Sequence, residues 1–162
     1  MRELIIYHVI DEPLEDVVAN FCNTLFQQNL RAMLIFNSDE LLHNCDKRIW
    51  TFASEKFIPH GTIFDTFPVE MQSFYLTNAS DKFYNFTHIS FIFPQDSIQE
   101  YINTITSTNF TDNITKIACI FTGIQPSEEY IKEIQSSEKF KQLFTCKFFQ
   151  RMSGVWNKIS EF

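Results

Sequence analysis

Glycine is scarce in this chain: three in 162 residues, Gly61, Gly123 and Gly154, with no two close together. The phosphate-binding turns of dinucleotide folds and P-loops need clustered glycines so that backbone amides can reach the phosphates. Nucleotide binding of either kind is therefore not expected. Cysteine pairs are also missing, because Cys22, Cys45, Cys119 and Cys146 are widely scattered. Metal and redox sites use close pairs, so four buried, reduced thiols and no metal are expected. Positive charge is short, with 13 Lys and Arg against 20 Asp and Glu, a net charge of -7. Proteins that hold duplex DNA through its phosphates need a basic face, so direct duplex binding is not expected. No apolar run nears the ~20 residues that span a bilayer. The opening "MRELIIYHVIDEPLEDV" lacks the apolar core and small-residue cleavage site of a secretory signal. A cytoplasmic protein without membrane attachment is the expectation.

What is present is a globular composition, 44% hydrophobic and 16% aromatic, at a length that suggests one domain over residues 1–162. The apolar runs "ELIIYHV" (3–9) and "RAMLIF" (31–36) are long enough for buried strands. Between them Leu14, Val17, Val18, Phe21 and Leu25 recur at helical spacing after the acid and proline of "DEP". "NSDELL" opens a second helix with Asn37 or Ser38 as its cap. Residues 61–70 are turn-rich. "MQSFYLT" (71–77) and "FTHISFIF" (86–93) read as strands of a hairpin. A helix capped near Asp96, a strand over 114–121, helix from Pro126 to about Gln150 with room for an interruption near "QSSEK", and a short edge strand in "GVWNKIS" complete the pattern. Strands alternating with helices imply an α/β fold: a Rossmann-like three-layer sandwich with a mixed, mostly parallel sheet and no nucleotide-binding loop.

Two residues carry the functional question. His60, between Pro59 and Gly61, could serve as a general base, with Asp65 as a nearby acid. A small α/β hydrolase or transferase is that reading. Against it, no serine lies in a G-x-S-x-G elbow, and a histidine so placed more often ties a turn together. Trp50 is the other. Leu41, Leu42, Cys45, Ile49 and Phe52 form the apolar stripe of the second helix, and Trp50 falls about 130° from its centre. It shares that flank with His43, Asp46 and Lys47. A tryptophan on the polar side of a helix is either covered by another segment or offered to a partner.

The segment "CDKRIWTFASEKFIPHG" resembles a signature of the chi subunit family of bacterial DNA polymerase III, Leu-Asp-x-x-Leu-Trp followed by Ser-Phe-x-Pro-His. Asp46, Trp50, Phe57, Pro59 and His60 match at its spacings. The strand order also agrees, and "EKFKQLFTCKFFQRMSGVWNK" is similar to the family's aromatic-Lys helix and terminal tryptophan. The resemblance implies a non-catalytic accessory subunit of the polymerase holoenzyme, with a Rossmann-like fold and no cofactor. It further implies a bridge from the clamp loader, through a psi subunit or another clamp-loader subunit, to the acidic C-terminal tail of single-stranded DNA-binding protein (SSB). The residues implied for tail binding are Trp50, Phe57, Phe140 and Lys141, with Lys47, Arg48, Lys56 and Lys139 raising the local potential. Three departures stand out: Phe140 replaces a usual Tyr or Trp, Ser137 replaces an arginine, and "KFFQRM" replaces a glycine after the last helix.

Overall fold

The computed structural model describes residues 1–53, 55–78, 89–92, 98–110, 112–123 and 127–162. In chain order the elements are β1 (Arg2–Val9), α1 (Leu14–Gln27), β2 (Ala32–Ile35), α2 (Asp39–Phe52), β3 (His60–Thr62), β4 (Phe74–Thr77) and β5 (Ile89–Ile92). They continue as α3 (Ile98–Ser107), β6 (Lys116–Thr122), α4 (Ser127–Gln135), α5 (Glu138–Leu143), β7 (Phe144–Met152) and β8 (Val155–Glu161). The strands form one sheet in the order β3-β4-β2-β5-β6-β1-β7-β8. Every pairing is parallel except the antiparallel β7–β8 hairpin at one edge. This is the mixed, mostly parallel Rossmann-like sandwich that the alternating pattern predicts.

Side chains alternate across each strand, and the two faces bury separate cores. Ala32 and Leu34 of β2 and Phe74 and Leu76 of β4 pack with α1 and α2 through Val18, Cys22, Leu42, Cys45 and Ile49. Met33 and Ile35 point the other way, with Leu4 and Ile6, onto Ile102 and Ile105 of α3, Ile131 and Ile134 of α4 and Phe140 of α5. Cys22 and Cys45 lie in the first core, Cys119 and Cys146 in the second. All four are buried and free. Burial raises their thiol pKa values, to about 12 for Cys45 and Cys146.

Two sequence expectations need correction. The segments 71–77 and 86–93 do not form a hairpin. β4 and β5, which lie in them, both pair in parallel with β2, which lies between the two. All four residues of β2 are buried, and an all-apolar strand of that kind belongs in the middle of a sheet. The helix expected to reach Gln150 stops at Leu143, and Phe144–Met152 is strand. Phe140 and Phe144, spaced like helical neighbours, straddle the boundary between α5 and β7. The hairpin turn that follows has positive φ at Ser153 and Gly154, as a twist-matched two-residue turn requires. The cap expected at Asp96 and the helix start expected at Pro126 fall outside the described residues.

His8, at the end of β1, is buried with both ring nitrogens engaged. Nε2–H donates to the Gly123 carbonyl at 3.1 Å, and Nδ1 accepts from the Ser127 hydroxyl at 2.8 Å. Burial lowers its pKa against the opposing effect of the Gly123 carbonyl. A depressed histidine pKa stabilises the fold above the free value of about 6.5, and that stability is lost as pH falls below it. The melting temperature of the wild type should therefore fall more steeply between pH ~7 and ~5 than that of His8→Gln. Parallel slopes would remove His8 from the acid response.

Candidate functional site

The site is built by α2 and the chain that leaves it. Ser38 caps α2, its Oγ accepting from the Leu41 amide at 3.1 Å, with Asp39 and Glu40 in the first turn beside the positive end of the helix dipole. Asp46 and Trp50 are i and i+4 and so share a flank. Ala53, at the end of α2, is already extended, and its carbonyl accepts from the Lys56 amide at 3.2 Å. Ile58 then enters the core beneath α2, which leaves Phe57 outward and turns His60 inward. The Pro59 carbonyl accepts from the amides of Ser73 and Phe74 and registers β3 beside β4. A Cβ at Gly61 would come within 3.2 Å of Gln72 Cγ, so the glycine lets the segment preceding β4 close over β3. Arg31 holds that segment from the other side through the carbonyls of Glu70 and Gln72.

Between these pieces lies an open pocket of about 260 Å³, lined by Asp46, Trp50, Phe57, His60, Asp65, Phe67 and Gln72. Trp50 is 54% exposed and Phe57 63%. Their ring centroids are 5.5 Å apart, and the Trp50 ring lies 4.6 Å from that of His60. Phe64, which stacks on His43 at 5.1 Å, and Phe67 and Met71 extend the exposed apolar surface. Contiguous exposed aromatics on a folded domain mark a contact surface rather than ordinary surface scatter.

The electrostatics of the pocket are turned inward. His60 Nδ1 donates to the Ile58 carbonyl at 2.7 Å. Its Nε2 lies 3.2 Å from Asp46 Oδ1, close enough for an ion pair but too poorly aligned to count as a hydrogen bond. Burial pushes the Asp46 carboxyl up, opposed by the nearby His60 and His43 and reinforced by Asp65. Asp65 is tied to Thr62, accepting from its amide at 2.7 Å and its hydroxyl at 3.1 Å. His60 therefore pairs with Asp46 and not with Asp65, as the hydrolase alternative would have it. Among the described residues, no serine or cysteine lines the pocket.

Trp50 and Phe57 stand together, as the resemblance implies, but Phe140 and Lys141 stand apart from them. Phe140 is 0% exposed, against Phe144 in the second core. Trp50 rises from the opposite face of the sheet. Five strands separate β3 from β7, a lateral distance of roughly 29 Å at the usual strand spacing. Lys141 is paired with Glu138 at 2.8 Å. Of the other cations, Arg48 pairs with Asp16 and covers Phe52, while Lys47 and Lys56 are exposed beside Trp50 and Phe57 in the chain. Sequence reasoning missed Phe67 and Gln72. Both lie in or after a turn-rich segment, where no periodicity separates an outward aromatic from a buried one.

A family model described as DNA polymerase III chi subunit, HolC, matches residues 1–102. A protein of Rickettsia prowazekii (strain Madrid E) that bears the name "Probable DNA polymerase III subunit chi" is 24% identical over 165 residues, covering 99% of this chain and 93% of its own length.

Proposed function

Because the chain belongs to the DNA polymerase III chi subunit family, and is thus an accessory subunit of the replicative holoenzyme, we propose that it tethers the clamp loader to SSB without catalysis of its own. One sheet joins the matched region to the last two strands, which supports residues 1–162 acting as one chi-like domain. The tail of SSB docks on the Trp50–Phe57 pocket, while a psi subunit or another clamp-loader subunit takes a different surface.

The observation that carries this reading is the exposed aromatic pair on the family motif, over a pocket large enough for one bulky apolar side chain. An apolar group at the end of the tail enters between Trp50 and Phe57. The acidic residues of the tail stay outside with Lys47 and Lys56, because Asp46 and Asp65 line the floor. Both of those carboxylates are engaged by protein groups, which blunts their repulsion. Single contacts of this kind are weak, and several tails on one SSB oligomer raise the effective affinity. The polymerase is then held near single-stranded template without competing for the DNA.

The test is titration of the purified protein with a fluorescent peptide carrying the SSB tail of the same organism. Saturable binding that weakens with added salt, and that is lost when the last residues of the peptide are removed, is expected. Lys141→Ala should change the affinity less than about twofold, because exposed pairs such as Lys141–Glu138 contribute little. Absence of saturation at high micromolar protein would overturn the tail site.

A further inference from the structure

Beneath Trp50 the geometry poses a protonation problem. The Ile58 carbonyl can only accept, so the hydrogen on His60 Nδ1 is fixed there by the 2.7 Å contact. Nε2 of a neutral ring then presents a lone pair to Asp46 Oδ1 at 3.2 Å. Lone pair against carboxylate is repulsive, and water can screen it only from the exposed side of Asp46, since the His60 side chain is fully buried. The arrangement is favourable only when one of the two groups, Nε2 or the carboxyl, carries one more proton, which removes the repulsion. The His60 side chain is fully buried and that of Asp46 partly exposed, so on losing the proton it is Asp46 that can swing to water.

We propose that Asp46 and His60 are positioning residues for the Trp50 wall: an extra proton on the pair holds the imidazole against the indole, the two rings tilted by 55°, and its loss loosens the pocket and weakens docking. This rests on the reading of the pocket as a tail site. Trp50 is one helical turn beyond Asp46 and 4.6 Å, ring to ring, from His60, so the pair borders the indole on the side away from solvent, with Phe57 beside it at 5.5 Å. Loss of the proton also makes the pocket more negative, which opposes an acidic ligand in the same direction. The raised pKa of the Asp46 carboxyl, caused first by its burial, agrees with a proton held more firmly than on an ordinary carboxylate.

His43, on α2, opposes the rise in the Asp46 pKa, and Asp65, after β3, reinforces it. The segment before β4 supplies the neutral Gln72 to the pocket, and Arg31, behind it, is turned to backbone carbonyls. Lys47 and Arg48 follow Asp46 on α2, the first exposed and the second held by Asp16.

The experiment uses protein labelled with 5-fluorotryptophan, whose two resonances are assigned with Trp50→Phe. Tail-peptide affinity is measured beside it from pH ~6 to ~8.5. In the wild type the Trp50 resonance should titrate while that of Trp156 stays still. Affinity should fall roughly tenfold over the same range. Asp46→Asn supplies an amide N–H to the neutral Nε2 and should flatten both profiles while keeping the affinity. Asp46→Ala should lose affinity throughout, His60→Gln should abolish the titration, and Asp65→Asn should leave it in place. A Trp50 resonance that does not titrate, or an Asp46→Asn profile matching the wild type, overturns the proposal even if the peptide binds. A titrating resonance that Asp46→Asn flattens, with no peptide binding, upholds the pair and removes the tail.

Discussion

Phe140→Ala should destabilise the protein by about 3–5 kcal/mol, the range for emptying a buried phenylalanine site. For a chain of this length that is a fall in melting temperature of about 10 °C or more. The reason is placement. Phe140 is inaccessible and sits between α5 and the start of β7, its ring 5.2 Å from that of Phe144 and its neighbours the isoleucines of α3 and α4. Whatever fraction stays folded should match the wild type in a titration with the SSB tail peptide, because Phe140 is buried in the core on the other face of the sheet from Trp50. Chemical denaturation followed by circular dichroism, with peptide titration of the folded variant, measures both quantities. A variant as stable as the wild type that had lost tail binding would mean that Phe140 faces the ligand, and the account of the site would be wrong.

Trp50→Ala should give the opposite result. With half of its surface exposed, the tryptophan contributes modestly to the fold, and its removal should alter stability by about 1 kcal/mol or less. At the centre of the aromatic surface it should behave as an anchor, costing about 2 kcal/mol of binding, or roughly thirtyfold in tail affinity. Phe57→Ala should act in the same direction by a smaller factor, because the Trp50–His60 contact survives it. Equilibrium titration beside a melting curve separates the two effects. A Trp50→Ala protein that lost stability and affinity together would point to packing, the bland reading of a tryptophan on a helix.

These contrasting residues show how far the sequence could be read. The strands β1, β2 and β6 were legible because each is a short apolar run that only a doubly covered sheet can bury. The outward tilt of Trp50 followed from its angle to the stripe of Leu42, Cys45 and Ile49, all buried. Strand partners were not legible. Periodicity marks 74–77 and 89–92 as strands but carries no information on what lies between them, and proximity in the chain favoured a hairpin over the parallel neighbours that β2 supplies. The boundary between α5 and β7 was hidden because Phe140 and Phe144 satisfy helical spacing, while Phe144, Cys146 and Phe148 also satisfy strand spacing.

At the site, the motif brought Asp46, Trp50, Phe57 and His60 together correctly, because local chain geometry alone joins α2 to β3. It could not place Phe140 and Lys141, since that depends on which face of the sheet the last helix covers. The crossover from β6 to β7 carries α4 and α5 to the face opposite α2, which gives the pocket Phe67 and Gln72 as its far wall instead.

The most direct measurement is a two-dimensional nitrogen–proton NMR titration of the labelled protein with the SSB tail peptide, following the two tryptophan indole signals. Docking at the pocket predicts large shifts for the Trp50 indole and for the backbone amides of Phe57, His60 and Phe67, with the Trp156 indole and the amides of Lys141 and Leu143 unmoved. Shifts centred on Lys141, Leu143 and Trp156, with Trp50 silent, would contradict the account.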